Sequence, residues 1–236
     1  MSDDLDKKRA LQYLEQEALL NMGMIEPINR GTAELLYSGN DGVLLFEKKS
    51  NAYMISVDGP ELAEKHLGEI DQAELFLAHQ QFCVPMISKK FGLTEQLMFL
   101  QAAYLKNTLI PIDEKTKIHT LNNTHTKVVL EHYHTMDDPS YITKLIENGQ
   151  IFGAFINDHL AGFIGIHLEG SIGMLEVLPD FRRQGIGYTL ESYIINSMIE
   201  KGRVPFCQVF EDNLNSINLQ KKLGLELSKK CLYWLF

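Results

Sequence analysis

Cysteine is scarce in this sequence: Cys83, Cys207 and Cys231 are the three copies, and they lie in apolar surroundings. An odd number of such cysteines argues against a disulfide framework and predicts reduced thiols in a reducing compartment. Basic residues are outnumbered, since 22 Lys and Arg face 31 Asp and Glu and leave a net charge of −9. This balance supplies no basic field for polyphosphate, so general nucleic-acid binding is not expected.

Long apolar runs are also missing, and none approaches the length of a membrane span. Residues 1–6 are acidic and are not followed by the apolar segment of a signal peptide. With 45% apolar residues, 22% charged residues and only 7 prolines, the composition is that of a folded chain. Its 236 residues suffice for one large domain or two small ones. We therefore expect a folded cytoplasmic protein with no membrane partner.

The first half of the chain is predicted to follow the order βββαβαβ after an opening helix. Apolar residues at helical spacing predict that helix from Leu5 to Met22, with Gly23 as its stop. Pro60 and Gly92 mark a helix start and a helix end. The remaining predicted elements are strands 33–37, 43–47 and 52–57, helix 60–67, strand 73–78, helix 84–91 and strand 96–105.

The second half is predicted to repeat this order after two helices, 124–133 and 138–147, the latter with Asp138 as N-cap. The elements that follow are strands 151–156, 160–167 and 172–178, helix 185–201, strand 206–210, helix 214–223 and strand 232–236. We predict an α/β fold (α+β, mixed sheet) with two similar layers in tandem, and place domains at 1–110 and 111–236.

The clearest chemical motif is residues 177–187, which run from a predicted strand end through a turn into a helix. Gly185 and Gly187 have no side chains to obstruct a ligand, and the free N–H groups of a helix's first turn favour an anion. Arg182 and Arg183 can add charge-assisted hydrogen bonds. The strand's terminal peptide groups can also bond to an amide-bearing arm. Together these features predict a pyrophosphate site.

The equivalent stretch of the first half, residues 58–61, is too short and too acidic to hold phosphates. Only the second half is therefore expected to bind a ligand in this way.

Residues Arg182 to Gly187 resemble the phosphate loop R/Q-x-x-G-x-G/A of the GNAT superfamily of N-acetyltransferases. A second element of that family, an Asn-led helix ending in K-L-G-F, is similar to residues 213–225. The resemblance covers roughly residues 111–236, a complete acyl-CoA-binding copy of the fold. The tandem layout and residues 205–210 resemble the glycine N-acyltransferase-like branch, in which the first half is a degenerate copy.

The resemblance implies a site for acyl-CoA, acetyl-CoA above all, and transfer of the acyl group to a primary amine by direct attack in a ternary complex. Val177 and Leu178 would lie beside the pantetheine, and Asn213 and Ser216 near the thioester. The residues implied around the pyrophosphate are Arg182, Arg183, Gln184, Gly185, Ile186 and Gly187.

An amine attacks only when neutral, so a general base is expected, and Glu176 is the candidate. On a strand it shares a face with Met174 and Leu178, where its carboxylate can open onto the acceptor side. A structural carboxylate, hydrogen-bonded in a cleft or reaching water, is an equal alternative.

The departing thiolate needs a proton, yet Gln220 stands where many family members have a tyrosine donor. Its amide cannot release a proton. Tyr188, Tyr193 and Tyr233 are alternative donors, as is water, and Tyr188 is retained as a weak catalytic candidate. Aromatic residues at such spacings are more often core than catalyst.

Two further residue groups are expected to have structural rather than catalytic roles. His125, His132 and His134 with Asp137 and Asp138 lack the i, i+4 spacing of helical metal ligands, so we expect no metal. Cys207 lies on an apolar strand, where a thiol is inert core rather than a nucleophile.

Three functions are weighed. The first is an acyl-CoA-dependent N-acyltransferase acting on a small amine or amino acid. The acidic composition favours a cationic acceptor such as a polyamine, an aminoglycoside or a lysine side chain, whereas the branch resemblance favours a small amino acid, so the acceptor stays open. The second is a non-catalytic acyl-CoA-binding or sensing protein. The third, a dinucleotide-binding oxidoreductase, is weakly supported because residues 185–190 lack the third glycine of G-x-G-x-x-G. The N-terminal half is expected to wall the acceptor pocket, bury a homodimer interface or stabilise its neighbour.

Overall fold

The computed structural model describes residues 2–112, 116–133 and 138–236. The described helices are α1 (Ser2–Leu14), α2 (Met22–Arg30), α3 (Pro60–Gly68), α4 (Cys83–Phe91), α5 (Thr126–His132), α6 (Pro139–Glu147), α7 (Ile186–Glu200) and α8 (Leu214–Leu223). The strands are β1 (Ala33–Ser38), β2 (Gly42–Glu47), β3 (Ala52–Val57), β4 (Phe76–Ala78), β5 (Gln96–Ala103), β6 (Lys117–Thr120), β7 (Ile151–Ile156), β8 (His159–Ile166), β9 (Ile172–Val177), β10 (Phe206–Phe210) and β11 (Glu226–Leu235). None of these helices combines the length and the apolar character that crossing a membrane requires.

The chain packs into two units. The first contains residues up to Ala103 together with Gln208–Lys221 and Leu225–Phe236, and the second contains Tyr104–Cys207 and Lys222–Gly224. The two predicted domains, 1–110 and 111–236, stay a prediction.

In the first unit the strands lie in the order β1-β2-β3-β4-β11-β5. β1, β2 and β3 form an antiparallel meander, β4 runs parallel to β3, and β11 is antiparallel to both β4 and β5. Apolar residues of the strands pack with Leu67 of α3 and Ile87 of α4, around the buried Phe76. Burial of such side chains supplies the main driving force for this packing.

In the second unit the strand order is β9-β8-β7-β6, and these neighbours are antiparallel. Phe206 and Cys207 of β10 also belong to this unit, and Cys207 pairs parallel with Ile172 of β9. The core contains Ile142, Leu145 and Ile146 of α6, Val129 of α5 and Phe163 of β8. Asp138 caps α6 as predicted, since its Oδ1 accepts from the amides of Ser140 and Tyr141.

The mixed α/β class is confirmed, because both units contain parallel and antiparallel strand pairs. Each unit also has an antiparallel meander, then a helix, then a strand parallel to the last strand of the meander. This shared order is what a tandem arrangement predicts.

The opening of the chain differs from the sequence prediction. The predicted helix 5–22 is two helices, and Gly23 lies inside α2 instead of ending a helix. A Cβ at Gly23 would make an ordinary van der Waals contact with Leu77 Cδ2 at 3.6 Å, so this position tolerates a helical residue. Helix α2 ends at Gly31, whose φ of 71° suits glycine.

Two strands were also mispredicted. β6 was not predicted, because only four mainly polar residues form it and its pairing with β7 specifies the strand. β11 is ten residues long, whereas only residues 232–236 were predicted. Its lysine-rich start pairs with β5 across a register shift between Leu227 and Cys231, which interrupts the alternation of side chains.

Candidate functional site

The predicted phosphate loop lies between β9 and α7 in the second unit. The Leu178 amide donates to the Ala161 carbonyl at 2.9 Å, and a 3₁₀ turn, Pro179–Phe181, follows. Arg183 has φ of 64°, a left-handed conformation that costs a non-glycine residue roughly 1–2 kcal/mol. Gly185 has φ of 84° and is the N-cap of α7. The loop therefore reverses the chain in two left-handed steps, one of which glycine makes without strain.

The N-terminus of α7 has neither a side-chain cap nor an acidic residue in its first turn. The first intrahelical bond of the described loop runs from the Thr189 amide to the Gly185 carbonyl at 3.0 Å. The amides before Thr189 consequently have no acceptor within the helix. A Cβ built on Gly185 would meet no heavy atom within 4 Å. This helix end thus presents donors and positive dipole charge to open space, which suits an anion.

Two exposed side chains brace the loop. Arg182 donates from Nε to the Val177 carbonyl at 3.1 Å, which ties its guanidinium to the end of β9. Gln184 donates from Nε2 to the Asp180 carbonyl at 3.2 Å. Arg182 keeps its terminal N–H groups for a ligand. The structure therefore brings Arg182 and the loop that follows it against Val177 at the end of β9.

A β-bulge in β9 was missed by the sequence analysis. Met174 has φ of 57°, and the register against β8 shifts between Phe163 and Gly165, so that one β8 residue faces two on β9. Bulges re-aim side chains and bend strands. Glycine inside a strand signals a bulge or a close backbone approach, and Gly162, Gly165 and Gly173 all lie here.

At Gly162 the backbone of β9 comes close to the backbone of β8. A Cβ there would lie 2.5 Å from the Glu176 carbonyl oxygen and 3.2 Å from the Val177 Cα, and both neighbours are backbone. Val177 pairs directly with Gly162. The end of β9 is therefore seated against β8 at a distance that excludes any side chain.

The other edge of β9 is open within its own unit. β9 pairs with β10 at Ile172–Cys207, and among the described residues this ladder does not extend along residues 173–177. In the first unit, by contrast, β3 pairs with β4 at three positions, Tyr53–Phe76, Met54–Leu77 and Ile55–Ala78. Peptide groups at the end of β9 can thus serve an extended, amide-bearing ligand.

The corresponding strand end of the first unit is occupied by a side chain. Gln80 accepts from the Val57 amide at 3.0 Å and donates from Nε2 to the Ser56 hydroxyl at 3.1 Å. Pro60 and Glu61 stand in the first turn of α3, where they remove one N–H and add a negative charge. These contacts give a second reason, beyond the short acidic turn, for this end to reject a phosphate ligand.

Glu176 is half-buried and pairs with Phe163 of β8. Directly paired residues point to the same side of a sheet. Phe163 and Met174 both belong to the cluster under α5 and α6, so the Glu176 side chain is on that face. The bulge at Met174 does not move Glu176 off the face that the sequence predicted.

Asn213 and Ser216 lie at the start of α8, in the first unit. The Asn213 side-chain oxygen accepts from the Ser216 amide at 3.1 Å, so Asn213 caps the helix. Gln220 is one turn beyond Ser216 on the same helix face, is only 3% exposed, and its Oε1 has no hydrogen-bond partner among the described residues.

The three tyrosines considered as proton donors have distinct surroundings. Tyr188, in the first turn of α7, has the Lys222 ammonium 5.0 Å from its ring centroid. Tyr193 packs its ring against Phe152 with centroids 5.8 Å apart. In the first unit, burial raises the pKa of Tyr233, with Cys231 and Glu211 adding to the effect. Tyr193 therefore has a packing role.

The prediction for Cys207 as inert core is confirmed, since it is 3% exposed. Burial, followed by the charge of Glu191, raises the pKa of its thiol well above the ordinary value, which suppresses the thiolate. Of the histidine cluster, His134 and Asp137 lie outside the described residues. His132 donates from Nδ1 to the Val128 carbonyl, 2.9 Å away. The described part of the chain contains no group of three metal-ligating side chains.

Residues 118–225 match the model of the acetyltransferase (GNAT) family. The comparison with curated proteins gave no match.

Solved structures resemble the chain over nearly its full length. A Drosophila protein has a TM-score of 0.69 at 15% identity and covers 100% of this chain and 96% of its own. A putative GNAT-family acetyltransferase from Novosphingobium aromaticivorans has a TM-score of 0.55 at 15% identity, covering 96% and 95%. A GCN5-related N-acetyltransferase-like protein from Streptococcus suis has 0.54 at 12% identity, covering 96% and 100%. The chain has the GNAT acetyltransferase fold.

Proposed function

We propose that this protein is an acyl-CoA-dependent N-acyltransferase that transfers an acyl group, acetyl first of all, to a primary amine in a ternary complex. One observation carries the proposal, the uncapped N-terminus of α7 at Gly185, which opens onto free space beside Arg182 and Arg183. The GNAT family match over residues 118–225 supports the same activity.

Binding of the acyl donor would begin at the phosphates. The amides of Ile186 and Gly187 would donate to the diphosphate, while Arg182 and Arg183 add charge-assisted bonds. Gln184 holds the loop in shape through its bond to Asp180. Val177 and Leu178, at the open edge of β9, would offer their peptide groups to the amides of the pantetheine arm.

The thioester end would involve Asn213 and Ser216, an assignment that rests on the family resemblance. Asn213 commits its side-chain oxygen to the α8 cap, so only its amide N–H groups are donors for a ligand. The Ser216 hydroxyl is half-exposed and can donate or accept.

The chemical step requires a neutral amine. Its nitrogen attacks the thioester carbonyl carbon, the C–N bond forms, the C–S bond breaks, and the thiolate leaves and gains a proton. Glu176 would accept the proton that the amine loses, a contribution of roughly 10²–10⁴ in rate. Tyr188 is the weak candidate for protonating the sulfur, and water can do so because a thiol is a fairly good leaving group.

The test is thiol release by purified protein supplied with acetyl-CoA and a panel of primary amines, including amino acids. We expect free CoA to appear only when both substrates are present. Calorimetric titration with CoA should show binding, and absence of any affinity for CoA or its esters would refute the proposal.

A second candidate, a non-catalytic acyl-CoA-binding or sensing protein, is favoured by Gln220. Its buried amide can donate hydrogen bonds but cannot act as a general acid toward the departing thiolate. This function predicts that acetyl-CoA raises the melting temperature while no amine in the panel releases thiol.

We propose that the acceptor is a small amine or amino acid and that the protein acts in the cytoplasm. We also propose that one role of the N-terminal half is to bury a homodimer interface. Placement in the glycine N-acyltransferase-like branch predicts that amino acids outperform polyamines and aminoglycosides in the amine panel. Sedimentation of the purified chain with and without CoA would test the dimer.

A further inference from the structure

Lys222 and Tyr188 form a cation–aromatic pair beside the phosphate loop. The Lys222 ammonium nitrogen lies 5.0 Å from the centroid of the Tyr188 ring, and both residues belong to the second unit. Tyr188 is the third residue of α7, so its side chain lies within one turn of the free amides that follow Gly185. Long side chains on a helix point back toward its N-terminus. The ring therefore holds an ammonium group near the positive end of the helix.

That position is electrostatically unfavourable for a cation in the ligand-free protein, because the helix dipole places positive charge there. Arg182 and Arg183 add two more cations to the same loop. Among the described residues no ion pair involves any of these three side chains, and Asp180 in the preceding turn is the only acidic residue between Val177 and Tyr188. An excess of unpaired positive charge favours a ligand with several negative charges.

The amides and arginines of the loop account for a diphosphate, whereas Lys222 comes from a different element, α8. Lysine is a compact point charge on a flexible stem, well suited to a terminal phosphate that needs no bidentate fork. A phosphomonoester carries about −1.5 to −2 charge at neutral pH. The Tyr188 ring restrains the lysine by cation–π attraction and so lowers the ordering cost of binding.

We propose that Lys222, positioned by the Tyr188 ring, binds the ribose 3′-phosphate of the acyl donor and makes the chain selective for CoA over 3′-dephospho-CoA. The assignment rests on the proposed function, because the diphosphate must first occupy the loop. In this proposal Tyr188 acts at the nucleotide end of the site as a positioning residue for Lys222.

The experiment is calorimetric titration of CoA and of 3′-dephospho-CoA into the parent protein and into Lys222→Met, which keeps the aliphatic stem and removes the charge. The parent should bind CoA roughly five- to tenfold more tightly than dephospho-CoA, the value of one exposed charge-assisted contact. Lys222→Met should abolish this ratio by weakening CoA alone. Lys221→Met, a neighbouring exposed lysine on α8, is the matched control and should preserve the ratio.

A second pair of variants tests the ring. Tyr188→Phe should keep the selectivity, while Tyr188→Leu should reduce it, with urea unfolding confirming that each variant is folded. Equal losses for the two ligands in Lys222→Met would overturn the lysine assignment and leave the proposed function standing. Failure of the parent protein to bind either ligand would overturn both.

Discussion

A negative charge at Gly185 should repel the acyl donor from the predicted cradle. We would compare Gly185→Asp with Gly185→Asn, which has the same shape but no charge. Asp and Asn are among the side chains that best tolerate a positive φ, and Gly185 has φ of 84°. A Cβ at this position meets no heavy atom within 4 Å, so neither variant creates a steric clash.

The size of the effect follows from distance and solvent. Both variants should lose about 1 kcal/mol of stability from the left-handed conformation. A carboxylate about 4 Å from a bound phosphate costs about 1 kcal/mol in bulk water and about 4 kcal/mol at an effective dielectric constant of 20. For this exposed loop we take a repulsion of about 2 kcal/mol between the carboxylate and the phosphate. The Gly185→Asp protein should then bind CoA roughly thirtyfold more weakly than the Gly185→Asn protein.

The assay is calorimetric titration of CoA into both variants at pH 7, in about 0.1 M and about 1 M salt. The Debye length falls from about 10 Å to about 3 Å between these conditions. The ratio of the CoA dissociation constants of the Asp and Asn variants should therefore shrink at high salt. Urea unfolding of the two variants should agree, which would show that the difference lies in binding. Equal CoA affinities for Asp and Asn would refute the placement of the diphosphate at the α7 N-terminus.

Three further changes test other parts of the structure. Glu176→Gln should lower turnover by roughly 10²–10⁴ with unchanged acyl-CoA affinity, and a pH–rate profile identical to that of the parent would remove Glu176 as the base. Gly162→Ala should cost about 1–3 kcal/mol in urea unfolding, because its Cβ would lie 2.5 Å from a backbone oxygen; Gly68→Ala, where nothing lies within 4 Å, is the control and should not destabilise. Burial lowers the pKa of His79 from 6.5 to about 4. The neutral ring therefore contributes its full stabilisation above about pH 6.5, and the free energy of unfolding should fall by about 3 kcal/mol as the pH drops toward 4. The variant His79→Gln should lose less stability than the parent between pH 7 and pH 4.5, and an equal loss in both would contradict the assignment to His79.

The turn from β9 into α7 could be predicted because its determinants are adjacent in the chain. Arg182, Arg183 and Gly185 lie within four residues, and a helix N-terminus provides free amides whatever surrounds it. The lack of a phosphate-binding turn after Val57 could likewise be read from neighbouring residues, because residues 58–61 are few and acidic. Most strand positions followed from short apolar segments between turn residues.

Other features depend on partners distant in sequence. The Met174 bulge is defined by pairing with β8, and its only sequence signal was glycine in two neighbouring strands. Gly23 looked like a helix stop, yet α2 runs through it and ends at Arg30, before Gly31. Gln80 occupies the Ser56–Val57 strand end across more than twenty residues, a contact that no local pattern indicates.

The amino-acid sequence by itself determined the chemical groups of the candidate site and the helix end that presents them, since these depend on residues a few positions apart. Tertiary structure decided which strand edge is open and which is closed. In the second unit β9 is bulged and pairs with β10 at one position, while in the first unit three ladder pairs and the Gln80 side chain close β3. The physical reason is that backbone hydrogen bonding between strands must be satisfied by whichever groups folding brings alongside.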